Sequence, residues 1–321
     1  MADSMIICVT GGSGFVGSKL VENLNSKGYL INLLTRKSRN DNKNLFFISD
    51  LTNQNLSLSA FLNSANLIFH CAGEVNNEPL MRELHVKGTQ RLLMEISREI
   101  TKTGNSLHFV QLSSCGSYGT PINANQRRVI TEDSPCLPTG EYEVTKTLAD
   151  ELVIEYGKKQ PLFSYTILRP TCVIGETMPN NSLRSLVRII KKGLFFYIST
   201  KKSIASYIHV DDVVDALVIC GTDPRAKNQI FNISNDCELH QIIESIRKKS
   251  PAIKAPICIP ELPIRLLVGL TKPFQNILTQ SRIDALVSNT TYPVKKMYDV
   301  LGYKPKIAID KFIVELFFKE L

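Results

Sequence analysis

The chain has 321 residues, 43% of them hydrophobic and 21% charged, the balance of a globular protein with room for one large α/β domain or two smaller ones. No run approaches the roughly 20 apolar residues of a membrane-spanning helix, and no basic-then-apolar secretion signal opens the chain. The formal net charge of +8 comes from short groups such as Arg36-Lys37, Lys191-Lys192 and Lys201-Lys202. Such groups fit solvated faces, an anionic ligand or an acidic membrane surface; no recognition helix or aromatic-interleaved basic sheet argues for nucleic acid.

Eight cysteines are scattered without a CxxC pair or metal-ligand spacing, so they read as reduced thiols of a cytoplasmic protein with no metal site. The first apolar run, Met5–Thr10, reads as a strand, and Phe15–Leu24 as the helix after it. Between them Gly11, Gly14 and Gly17 stand at GxxGxxG spacing. A tight strand-to-helix turn of this kind lets backbone approach a pyrophosphate at the helix N-terminus, so dinucleotide binding is expected.

The second strand, Tyr29–Thr35, ends in Arg36 and Lys37 rather than in an acid. An acid there would hold the ribose hydroxyls of NAD, whereas arginine suits the extra phosphate of NADP, so NADP(H) is favoured and NAD(H) remains the alternative. The third strand, Leu45–Ser49, is followed by Asp50, a candidate for the adenine amine or for a helix cap. Leu67–Ala72 reads as the fourth strand, Pro79–Ile100 as a long helix and Leu107–Leu112 as the fifth strand, ending in Ser113-Ser114. Glu141–Lys159 is helical and carries Tyr142-x-x-x-Lys146, two residues that share a helix face. The same spacing recurs at Tyr197/Lys201, in a strand-like stretch, and at Tyr292/Lys296, beside Pro293; context singles out Tyr142. Phe163–Leu168 is a sixth strand. Nearly all-apolar strands alternating with helices predict a parallel, doubly wound α/β sheet.

After Gly175 the pattern loosens into helices at Leu183–Lys192 and Pro263–Leu278 with short strands between. This predicts a nucleotide-binding domain of residues 1–175 plus about 205–235. A smaller substrate-binding lobe, about 176–204 and 236–321, would be interleaved with it.

The motifs TGGSGFVG (10–17), FHCAG (69–73), HVKGT (85–89), QLSSCGSYG (111–119), YEVTK (142–146), LRPTCVIG (168–175), YIHVDDVVDA (207–216) and LGYKPK (301–306) run the length of the chain. Together they resemble an extended short-chain dehydrogenase/reductase of the NAD-dependent epimerase/dehydratase family, with a Rossmann-type fold. The resemblance implies catalysis by Ser114, Tyr142 and Lys146, with Lys146 and the nicotinamide charge lowering the Tyr142 phenol towards neutrality. It implies cofactor contacts from Gly11, Gly14, Phe15, Val16, Gly17, Arg36, Asp50, Leu51, Cys71, Ala72, Gly73, Arg169 and Pro170, together with Tyr142 and Lys146. Arg169 equally reads as a structural ion-pair partner.

Departures from the family pattern narrow the reaction. Sugar-nucleotide dehydratases of this family carry Asp-Glu after the active-site hydroxyl, and here Cys115-Gly116 stand there. His85 replaces a usual Asn. Ala205 stands where an arginine commonly grips a diphosphate, which leaves Arg282, or Lys201 and Lys202, as substitutes and admits a polyprenyl-diphosphate carrier at a membrane surface. Asn180 or Asn181, at the start of the helix after Gly175, would contact the diphosphate beside Ser114.

The expected activity is 4-keto reduction, or redox-neutral 4-epimerisation, of a nucleotide- or lipid-linked sugar in surface-polysaccharide assembly. The alternative is reduction of a small lipophilic carbonyl of steroid or flavonoid type. A homodimer through the helices around 79–100 and 141–159 is implied by the family alone.

Overall fold

The computed structural model describes residues 5–37, 43–121, 123, 125–179, 181–270 and 279–319. Seven strands form the central sheet: β1 (Ile7–Thr10), β2 (Ile31–Thr35), β3 (Asn44–Ile48), β4 (Leu67–His70), β5 (Leu107–Leu112), β7 (Phe163–Pro170) and β11 (Gln229–Ile233), with β6 (Arg128–Val129) outside it. Their order is β11-β7-β5-β4-β1-β2-β3 and every pairing is parallel. The order reverses at β1, whose neighbours are β2 on one side and β4 on the other, so a crevice opens at their C-terminal ends.

Covering helices explain the apolar strands. Ile7 and Val9 pack with Leu20 and Leu24 of α1 (Phe15–Ser26) and with α7 (Val210–Thr222) on one face. Cys8 and Ile68 pack on the other face, with Leu92 and Ile96 of α4 (Thr89–Thr103). Among the described strands of this sheet, β3 departs most from the expected burial on both faces. It is the edge strand, and its Leu45 and Ile48 remain 64% and 65% exposed.

The long helix expected over 79–100 is divided. After the short turns α2 (Ser59–Leu62) and α3 (Glu78–Met81), residues Arg82–Gly88 wind as a π-helix before α4 begins. Helix α5 (Glu141–Lys159) packs beside this segment, with the His85 ring bonded to Thr145.

The returning segment divides more finely than expected. α7 and β11 rejoin the central domain, but β10 (Ile204–His209) pairs with β8 (Cys172–Ile174) and β12 (Asn235–Glu238) in a separate three-stranded sheet. Above it, α6 (Ser182–Lys191) buries Leu183, Val187 and Ile190 at helical spacing against α8 (Leu239–Lys249) and the helix Ile309–Lys319. The short strands β9 (Tyr197–Ile198) and β13 (Cys258–Ile259) pair ahead of α9 (Glu261–Leu270), which packs on the helix Gln280–Val287. Of the helix expected at Pro263–Leu278, positions 271–278 lie outside the described residues. Finally β14 (Thr290–Thr291) pairs with β6 and leads Tyr292 towards the central crevice. Among the described residues no helix is long and apolar enough to cross a membrane, and all eight cysteines are free thiols.

Candidate active site

The glycine turn closes tightly on the sheet. Gly11 has φ +70°, a conformation other residues rarely adopt, and a Cβ added there would lie 2.4 Å from the Ala72 nitrogen. A Cβ on Gly17 would lie 2.1 Å from the Gly11 oxygen, so only glycine lets α1 start so close to the strand. Gly14 caps α1 without a side chain, which leaves the positive end of the helix facing the crevice.

That crevice holds a cavity of about 1030 Å³. Gly14, Phe15, Val16, Gly17, Cys71, Ala72 and Gly73 line one side, and Leu112 to Gly116, Tyr142, Lys146 and Pro170 the other. The crowded glycines and the uncapped helix end fit a dinucleotide pyrophosphate.

Tyr142, Lys146 and Asp150 repeat every four residues along one face of α5. Asp150 is fully buried and accepts from Gln111 Nε2 (2.9 Å), Ser113 Oγ (2.7 Å) and Arg169 Nε (3.0 Å). Lys146 Nζ donates to the Leu112 carbonyl, and burial lowers its pKa while Asp150 opposes the shift. The Ser114 oxygen accepts the Gly116 N–H at 3.0 Å and so caps the turn that follows β5.

Burial raises the Tyr142 pKa, and Ser114 opposes that shift. Lys146 is committed to the strand-end carbonyl one turn away.

His85 sits across from Tyr142, their rings edge to face at 5.7 Å. Its Nε2 accepts the Glu74 N–H at 2.9 Å, so the proton lies on Nδ1 and is donated to Thr145 Oγ1 at 2.8 Å. Thr145 passes its own proton to the Glu141 carbonyl. Burial, followed by the Lys146 charge, lowers the imidazole to a pKa of about 3, and it stays neutral.

Position 116 is closed to a larger residue: a Cβ there would meet Glu143 Cγ at 2.9 Å. The Glu143 carboxylate is held by the Thr139 and Gly140 N–H groups at the start of α5. Cys115 turns inward to the Arg169 carbonyl, and burial drives its thiol well above the usual range. The acid pair of a dehydratase has no counterpart at these two positions.

Several residues expected to contact the cofactor are not in the lining of this cavity. Arg169 lines no part of the cavity: it is paired with Asp150 at 3.0 Å, donates to Tyr118 Oη at 3.1 Å and is 4% exposed, so its structural reading is the one the fold adopts. Arg36 stands exposed at the end of β2, outside the cavity lining. Asp50 Oδ1 is taken by the Thr52 N–H (2.9 Å) and hydroxyl (2.8 Å) in a turn rather than at a helix start. Leu51 is buried, its carbonyl bonded to Arg91.

A second chamber of about 460 Å³ adjoins the first, sharing Cys172, Val173, Ser206 and Tyr292. Its walls are Ile174, Met178, Leu183, Leu186, Ile204 and Leu286 among hydroxyls of Ser182, Ser281 and Ser288, and among the described lining residues Asp284 alone is charged. Ala205 lines it, whereas Arg282, Lys201 and Lys202 do not. Asn181 caps α6 from an exposed position outside both linings, and Asn180 lies outside the described residues.

Two residues escaped the sequence reading. Asp150 continues the Tyr142/Lys146 spacing and was legible as a third residue on that face. Tyr292, set aside because of Pro293, faces both cavities through the β14–β6 pairing, which no local pattern reveals. Its apparent partner Lys296 lies instead over the Phe231 ring at 5.5 Å.

A doubly wound parallel sheet, a glycine turn at its switch point and a Ser–Tyr–Lys group facing it are the marks of the extended short-chain dehydrogenase/reductases. Residues 7–234 match the model of the NAD dependent epimerase/dehydratase family, and the chain belongs to that family. It is 26% identical to UDP-glucose 4-epimerase of Vibrio cholerae over 93% of this chain and 90% of that one. It is equally 26% identical to the decarboxylating sterol-4-alpha-carboxylate 3-dehydrogenase of Mus musculus, over 94% and 87%. Among solved structures, MoeE5 in complex with UDP-glucose and NAD superposes with a TM-score of 0.71 over 98% of both chains at 21% identity.

Proposed function

We propose that this protein is an NADP(H)-favouring ketoreductase acting at C4 of a sugar carried on a diphosphate, either nucleotide- or lipid-linked. The observation that carries the oxidoreductase reading is that Ser114, Tyr142 and the desolvated Lys146 line the larger cavity together with the glycine turn.

A nicotinamide dinucleotide held by Gly14, Phe15, Val16, Gly17 and Cys71 to Gly73 supplies hydride chemistry. Tyr142 Oη gives the substrate oxygen its proton as the carbonyl carbon is reduced, and takes it back in the reverse direction. Ser114, already capped from behind by Gly116, directs its own O–H at that same oxygen. The neutral His85 packs against the Tyr142 ring from the π-helix side.

The diphosphate reading is supported by Ser182 and Leu183, whose position at the start of α6 brings a helix N-terminus to the second chamber. The preference for NADP(H) rests on Arg36 and on the lack of an acid at the end of β2. A second reading, a lipophilic ketone, is favoured by the absence of lysine or arginine from the described lining of that chamber.

The test is nicotinamide absorbance with purified protein and a UDP-linked 4-keto-6-deoxy sugar, using NADPH and then NADH. Stoichiometric loss of NADPH absorbance is expected. Turnover of a flavanone or 3-ketosteroid but not of the sugar would transfer the assignment to the second reading. Inversion at C4 of a UDP-linked N-acetylhexosamine, with no net change in absorbance, would make the enzyme an epimerase.

A further inference from the structure

α9 is unusual for a surface helix. Ile264 and Val268 point inward at 7% and 3% exposure, yet the outward positions Leu262 and Leu266 are also apolar, at 69% and 56% exposure. Its two charged residues do not polarise that face, because Arg265 pairs with both Glu261 (2.7 Å) and Asp284 (2.6 Å). Two more apolar side chains are exposed beside the strand pair before the helix, Ile257 at 67% just ahead of β13 and Leu194 at 64% ahead of β9. The Tyr197 N–H bonds the Ile257 carbonyl at 2.9 Å, so the two segments lie side by side.

Cations rim this surface. Lys192 precedes Leu194, Lys254 precedes Ile257, and Lys201 and Lys202 follow Ser199, whose N–H bonds the Ile259 carbonyl at 2.8 Å. All four lysines are exposed and none forms an ion pair among the described residues. Exposed leucines on a short helix, ringed by unpaired lysines, match an interface between anionic headgroups and acyl chains better than they match water.

We propose that this face, formed by α9 and the β9–β13 strand pair, docks the protein on an anionic lipid surface. Leu262, Leu266, Ile257 and Leu194 enter the headgroup region while Lys192, Lys201, Lys202 and Lys254 meet the lipid phosphates. α9 packs on Gln280–Val287, whose Ser281, Asp284, Ala285 and Leu286 line the second chamber, so docking sets that chamber beside the membrane. The inference stands on the exposed surface and does not depend on which substrate the chamber takes.

The test is sedimentation of the full chain with vesicles of phosphatidylglycerol and phosphatidylcholine, against vesicles of phosphatidylcholine alone. The wild-type protein is expected to pellet with the anionic vesicles and to be released by salt. Lys201→Ala with Lys202→Ala lowers the affinity for the anionic vesicles roughly 25-fold, at about fivefold per lysine. Leu262→Asp with Leu266→Asp abolishes pelleting, with the thermal midpoint and solution mass unchanged. Wild-type protein left in the supernatant with anionic vesicles overturns the proposal, as does an aspartate variant that still pellets. A solution mass that falls on introducing the aspartates would show that the face pairs two copies of the chain, and would overturn it as well.

Discussion

At the scale of single residues, the proposed site divides into groups that would touch reacting atoms and groups that hold them. Tyr142 would belong to the first kind. Tyr142→Phe is expected to lower turnover by about 10²–10⁴-fold while dinucleotide binding, followed by fluorescence titration, stays near wild type. If Arg36 sets the proposed NADP(H) preference, Arg36→Asp should weaken NADPH relative to NADH by tenfold or more (about 1.4 kcal/mol), read from the two KM values. His70 and His85 make a prediction about pH. Burial holds both at a pKa of about 3 against an ordinary 6.5. Between those values the unfolded chain binds protons that the folded chain refuses. Their contribution is therefore complete above about pH 6.5, and it is lost on acidification towards 3 at roughly 1.4 kcal/mol per pH unit per histidine. Urea titrations from pH 7 to 5 should show this slope, and His85→Asn should remove about half of it.

At the scale of elements, the strand-to-helix turn and the divided helix before β5 place these residues. In Gly17→Ala the new methyl carbon would have to move off the Gly11 oxygen, 2.1 Å away in the present backbone, and it can do so only by displacing α1 from β1. A loss of about 1–3 kcal/mol in stability is expected, with dinucleotide affinity falling further if the displaced helix end holds the pyrophosphate as proposed. Differential scanning calorimetry and a fluorescence titration separate the two effects. The π-helix over Arg82–Gly88 carries His85, which lies against Tyr142 and bonds Thr145, and so joins the wall of the crevice. Its apolar periodicity reads as plain helix from sequence, since one widened turn barely disturbs the pattern of buried residues.

At the scale of the whole molecule, α4 leaves Met94 (52% exposed) and Arg98 outward, while its opposite face is buried against the sheet. We expect two copies to associate through α4 and α5, giving twice the monomer mass by light scattering; Met94→Arg should halve it, and retention of the dimer would refute the assignment. How much of this was legible in the sequence follows from where each interaction lies along the chain. The alternation of strands and helices, the GxxGxxG turn and the shared face of Tyr142 and Lys146 are local, repeating at periods the backbone itself imposes, so the doubly wound fold and the centre of the site could be read directly. Arg169 was ambiguous because an arginine beside a crevice and an arginine buried in an ion pair have the same neighbours in sequence; Asp150, 19 residues earlier, settles the matter only once α5 and β7 pack. Tyr292 meets the crevice through a strand pairing that spans more than 160 positions, Thr291 with Val129. The amino-acid sequence alone determined the elements, the fold class and the dinucleotide turn, because hydrophobic period and glycine geometry act over a few residues. Tertiary structure alone decided which charges are spent inside, what lines the second chamber and which leucines remain in water, because burial is a property of what else packs nearby.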